Sequence, residues 1–164
     1  MIITPSIIIF NIIIFILVFL FVKTIDNRKW LSILVSLVLT PIVYFYVFYP
    51  ILNIFSSYHH EKYFNSEVWI DKPALRYEMT NNILESNTLI GKTKPEVEEL
   101  LGTYEWLSWN DSIKNHDDNF WNYALGMEPG AMNTKKECMT IIFKDGKVSN
   151  IETYNEEITF DEKK

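Results

Sequence analysis

Charge is absent from two long stretches of this chain, residues 2–22 and 31–55, and no other feature restricts the possible folds so strongly. The first has 21 residues. At about 1.5 Å per helical residue it reaches about 31 Å, against a hydrocarbon core about 30 Å thick. The second is interrupted only by Pro41 and Pro50 and closes on the aromatic run Tyr44-Phe45-Tyr46-Val47-Phe48-Tyr49. Tyrosine, with an apolar ring and a wet hydroxyl, suits a membrane interface. A cleaved signal peptide is the competing reading of the first stretch. It lacks a basic lead, its apolar run is too long, and Lys23-Thr24-Ile25-Asp26 offers no small-residue cleavage site. Two spans joined by residues 23–30 make an antiparallel hairpin.

Residues 1–60 carry only Lys23, Asp26, Arg28 and Lys29 as charges, a balance of +2, so the whole-chain value of −6 leaves −8 for the rest. Such a chain cannot neutralise a row of phosphates, which excludes a basic nucleic-acid binder. Short loops rich in Lys and Arg stay cytoplasmic. Loop 23–30 is therefore expected inside a bacterial inner membrane, with both termini and the acidic domain outside. Within the spans, Asn11 comes level with residues 40–42, and Ser32, Ser36 and Thr40 share one face. These residues read as a packing seam with Asn11 bonded to Thr40, rather than as a solute path, because neither span holds an ionisable group.

Residues 58–66 read as a wet linker containing His59-His60, and His116-Asp117-Asp118 as a solvated turn; neither offers the three or four convergent ligands that a metal needs. A helix is predicted over 73–86 from Leu75, Met79 and Ile83. A second begins at a Thr93-x-x-Glu96 capping box and stops at Gly102. Period-two patterns predict strands over 104–110, 119–125, 137–144 and 147–154, the last two joined by Asp145-Gly146 in a type I′ hairpin. Phe143 is expected opposite Val148 and Ile141 opposite Asn150. Met139, Ile141, Phe143 and Val148 then face the helices, and Cys138, Thr140, Ile142 and Ile151 face away. The fold class is a transmembrane helical hairpin plus an α+β domain, two helices packed on a three- to four-stranded antiparallel sheet. Its divisions are an anchor over 1–57, a linker over 58–66, the domain over 67–155 and a charged tail over 156–164.

Three runs, Leu89-Ile90-Gly91-Lys92-Thr93-Lys94-Pro95-Glu96-Val97-Glu98-Glu99-Leu100-Leu101-Gly102, Trp121-Asn122-Tyr123-Ala124-Leu125-Gly126, and Met139-Thr140-Ile141-Ile142-Phe143-Lys144-Asp145-Gly146-Lys147-Val148, resemble the SmpA/OmlA (BamE-like) family. The resemblance spans about 67–155. It implies two helices on a three-stranded antiparallel sheet, an arrangement related to the repeats of β-lactamase inhibitor protein, and a non-enzymatic envelope module. The chain departs from that family in its anchor: its single cysteine, Cys138, lies in a predicted strand, so two spans stand where a lipid would be.

No Ser/His/Asp set, phosphate loop or cysteine pair is apparent, so the expectation is no enzyme, no cofactor and no metal. Cys138 reads as a small buried thiol. Trp106, Trp109, Trp121 and Tyr123 are the candidate partner-binding residues, presented on the sheet face away from the helices; the competing reading is core and cross-strand packing. The expected partners are the bilayer and another membrane or envelope protein, with no nucleic acid. The alternative is a sensor or carrier holding a small molecule or lipid near Trp106, Trp121 and Phe143.

Overall fold

A computed structural model describes residues 1–158; the charged tail expected over 156–164 lies outside them from residue 159 onward, and Glu156 and Glu157 belong to the last strand. The chain divides into two compact units, residues 2–58 with 129–131, and the remainder.

In the first unit, helix α1 (Pro5–Ile25) starts at Thr4, whose hydroxyl accepts from the Ile7 N–H, and at a proline, which has no N–H to waste in a first turn. Helix α2 (Lys29–Val43) continues through a wide π turn (Tyr44–Phe48) into α3 (Tyr49–Phe55). Pro41 lies inside α2 and removes an N–H from its ladder. Three residues later the ladder widens, and the Tyr49 N–H reaches back five residues to the Tyr44 carbonyl. Two helices, Pro5–Ile25 and Lys29–Phe55, are long and apolar enough to cross a membrane.

Their contact is a seam of small residues, as predicted: Ser32, Ser36 and Thr40 are buried, and Ile14, Val18, Val22 and Tyr44 form the apolar cluster beside them. The predicted Asn11–Thr40 bond is absent. Asn11 donates Nδ2–H to the Ile7 carbonyl at 2.9 Å, while Thr40 donates to Ser36 at 2.7 Å and Ser36 to Ser32 at 2.6 Å. In an apolar surrounding, a carbonyl four residues back is always within reach, and that local partner displaces the interhelical one.

The second unit is an α+β layer pair. A four-stranded antiparallel sheet runs β1 (Trp106–Asn110), β2 (Asn115–Gly126), β3 (Lys135–Lys144), β4 (Lys147–Glu157) in chain order. Helices α4 (Ser66–Asp71), α5 (Tyr77–Ser86) and α6 (Lys94–Leu101) supply Trp69, Met79, Ile83, Val97 and Leu101 to a core completed by Tyr123, Leu125, Met139, Ile141 and Phe143. Helix α6 begins as predicted, with Glu96 Oε2 accepting from both the N–H and the hydroxyl of Thr93. Those bonds hold its carboxyl below the usual range.

Several expectations need correction. Helix α4 was not foreseen; Asn65 caps it by accepting from the Val68 N–H. Residues 59–65 are no wet linker: the Lys62 N–H donates to Glu78 O, the Phe64 N–H to Asn82 Oδ1, and His60 is buried. The helix predicted from residue 73 starts at Tyr77, because Pro73 sits in a turn and Leu75 bridges to Gly126. His116-Asp117-Asp118 lies within β2 and not in a turn. In the β3–β4 hairpin Phe143 does pair with Val148, but Ile142 pairs with Asn150, so Ser149 is an extra residue. That bulge brings Ile151 opposite Ile141 and onto the core face, where sequence alone had placed it outward.

The turn before α5 is stitched to the end of β2 by two contacts. A Cβ on Gly126 would lie 2.2 Å from the Ala74 carbonyl oxygen, so only glycine permits that approach, and its φ is +98°. Arg76, 6% exposed, donates Nε–H to Trp69 O and Nη1–H to both Glu105 and Ala124 O. Its guanidinium also lies 5.2 Å from the Trp69 ring centroid. Unfolding followed by tryptophan fluorescence in mild detergent should show Gly126→Ala losing more than about 1 kcal/mol. Glu105→Ala should lose about 3 kcal/mol by leaving a buried cation unpaired. Wild-type stability in either variant would contradict this account.

Candidate interaction surface

Helices cover one face of the sheet. The other carries, from β1 to β4, Trp106 and Ser108, then Phe120, Asn122 and Ala124, then Cys138, Thr140 and Ile142, then Asn150, Glu152 and Tyr154, as the cross-strand register dictates. Small side chains form its floor. Asn122 donates Nδ2–H to Ser108 Oγ at 3.0 Å and to Trp106 O at 3.2 Å, and its Oδ1 accepts from the Thr140 hydroxyl at 2.6 Å. This network satisfies the amide in the middle of the face. Larger groups stand around it: Lys136 lies 4.9 Å from the Trp106 ring centroid, and Tyr154 pairs with Cys138.

Burial pushes the Cys138 thiol up to about 11, with Glu156 adding to the effect, and it raises the Tyr154 phenol as well. The thiol therefore matches the buried group expected from sequence, and its thiolate is scarce at neutral pH. A maleimide at about pH 7 should label Cys138 far more slowly in the folded chain than in the unfolded one; equal rates would show the strand to be open.

The four candidate partner-binding residues do not form one surface. Trp121 and Tyr123 are buried on the helix side, Trp121 with its ring 4.8 Å from that of Phe143 and Tyr123 donating its hydroxyl to Gly102 O. Core packing accounts for both. Trp106 is half-buried on the open face, opposite in direction to Trp121 and Phe143, so these three do not line one pocket. Trp109 is 57% exposed near the β1–β2 turn, edge-on to His116, with its indole N–H donated to Asp111 and Ile113 exposed nearby. Sequence missed the floor residues Asn122, Ala124 and Thr140, whose only signal is their alternation with the core residues of the same strands.

A small polar cavity of about 60 Å³ opens beside α5, lined by His59, Tyr77, Glu128, Glu137 and Thr153 among others. His59 Nδ1 stands 3.8 Å from Glu128 and its ring packs edge-on to Tyr77. His60, next in the chain, is held below the ordinary histidine value by burial. Burial first, and then the charge of Glu128, raises the Glu137 carboxyl above its ordinary value. Among the described residues, no group of three or more His, Cys, Asp or Glu is placed to hold a metal ion.

A raised carboxyl binds its proton more tightly folded than unfolded, so ionised Glu137 detracts from stability at neutral pH, and that loss is relieved as pH falls through the folded value. Glu137→Gln should therefore melt above wild type near about pH 8, and the difference should close below the ordinary value of 4.5. A variant less stable than wild type at both pH values would refute this.

No family model matches the chain, and neither a curated protein nor a solved structure matches it. The SmpA/OmlA resemblance accordingly rests on the three sequence runs alone.

Proposed function

We propose that this chain is a non-enzymatic, membrane-anchored interaction module of the bacterial cell envelope, whose open sheet face receives a protein partner. The carrying observation is that face itself, a floor of small, satisfied side chains at Asn122, Ala124 and Thr140 with Trp106, Phe120, Ile142 and Tyr154 around it. Aromatic and apolar groups around such a floor give a partner area to bury without stranding polar atoms. Exposed Trp109 and Ile113 extend the apolar surface toward the β1–β2 turn. The two long apolar helices support an inner-membrane, multi-pass anchor. Lys23, Arg28 and Lys29 favour a cytoplasmic loop 23–30, with both termini and the domain outside.

The order of helices and then antiparallel strands agrees with what the SmpA/OmlA resemblance implies, while α4 and the extra strand go beyond it. The alternative, a small-molecule or lipid carrier, draws less support, since Trp106 stands on the other side of the sheet from Trp121 and Phe143.

Two measurements test the reading. A photo-reactive side chain at Ile142 should yield one discrete protein adduct in living cells, and the same group at Glu85 on α5 should not. With Cys138→Ser and Ser112→Cys, an impermeant maleimide should label intact cells; protection until lysis would reverse the orientation. No adduct from Ile142, Trp106 or Trp109 would overturn the docking role.

A further inference from the structure

The geometry points to a second copy of this chain as the occupant of a groove on the helical hairpin, with Asn11 of each copy bonded to Asn11 of the other. This rests on the reading of α1 and α2 as membrane spans. The groove has a volume of about 430 Å³ and is lined by Ile8, Asn11, Ile12, Leu37, Thr40 and Pro41, among others. Asn11 lies next to the midpoint of the apolar stretch 2–22, and Pro41 close to the midpoint of 31–55. The groove is therefore at the depth where water is absent and unpaired polar groups cost most.

Asn11 has two amide hydrogens and one carbonyl oxygen. One hydrogen goes to the Ile7 carbonyl. Among the described residues, the other hydrogen and Oδ1 have no hydrogen-bond partner, and Asn11 is only half-buried. Pro41 brings no N–H to the carbonyl of Leu37, and both residues line the same groove.

A carboxamide with one free donor and one free acceptor is complementary to itself. Two copies inserted in the same direction and related by a two-fold axis along the bilayer normal must carry Asn11 at equal depth, so the match requires no second sequence. Ile8 and Ile12, both about half exposed, supply apolar ridges beside it. Any other protein would need a donor and an acceptor at that same height.

The test uses the full chain in membranes. In a Cys138→Ser background, Ile12→Cys should oxidise to a disulfide-linked dimer of this chain, and Ile13→Cys, pointing away from the groove, should not. In detergent, sedimentation of the chain with and without Asn11→Leu should give a dimer dissociation constant roughly three- to thirty-fold weaker in the variant, the range expected for one polar contact between spans. Asn11→Gln, which keeps the carboxamide, should recover much of the loss. A strictly monomeric wild type, a dimer indifferent to Asn11→Leu, or cross-linking from Ile12→Cys to a different protein alone would each overturn the proposal. Recovery of the chain from the aqueous fraction without detergent would instead overturn the membrane reading beneath it.

Discussion

Arg76 is the constraint on which the second unit depends. One guanidinium, almost wholly out of water, ties the carbonyl of Trp69 at the end of α4, the carboxylate of Glu105 ahead of β1 and the carbonyl of Ala124 in β2. It also packs over the rings of Trp69 and Tyr123. A buried cation is tolerable only when each neighbouring group is fixed where the charge needs it. The glycine at 126 completes the arrangement, since it lets the turn at Ala74 close onto the strand that carries Ala124. The placing of the helices on one face of the sheet is a consequence. Helices α4 to α6 are held on one side by this clamp and the core behind it.

The parts of this fold readable from sequence are those decided by short-range rules. The Thr93–Glu96 cap, the stop at Gly102 and the Asp145-Gly146 turn each depend on residues within a few positions of one another, and each formed where expected. The failures share a cause. The start of α5 moved because Leu75 pairs with a residue about fifty positions away, and Ile151 changed face because one bulged serine reverses the alternation after it. Trp121 and Tyr123 were ambiguous because the alternation that separates them from Asn122 and Ala124 does not say which set meets the helices. Only the apolar faces of α5 and α6 decide that.

The helical hairpin shows the same limit. Its small-residue seam could be read directly, since spacing by four puts Ser32, Ser36 and Thr40 on one line. The bonds those hydroxyls make could not, because every polar side chain on a helix has a competing acceptor in its own backbone. With Ser36 and Thr40 bonded locally, Asn11 gains nothing from the facing helix and keeps one amide hydrogen and its carbonyl oxygen unused. A polar group left over inside a hairpin points to an association beyond it.

Open sheets invite two kinds of contact, across the face and along the edge, and this sheet is not equally open to both. The start of β4 is already occupied: the Gly91 N–H donates to Val148 O, and the Val148 N–H donates to Lys92 O. Beyond the bulge at Ser149, the edge carries Glu152, Glu156 and Glu157. Charges and bulges of this kind discourage the pairing of one edge strand with its like, and two antiparallel copies of β4 would bring carboxylates together. The face differs in having a bonded centre. Its central amide and hydroxyl are bonded to one another, and around them Trp106, Phe120, Ile142 and Tyr154 stand among Lys136, Asn150 and Glu152. A partner lying flat over this face buries the rings of Trp106 and Tyr154 while the bond between Asn122 and Thr140 stays intact, whereas one adding to the edge must displace the contacts at Val148 and pair past the bulge at Ser149. Face docking is the mode that the physical chemistry of this sheet favours.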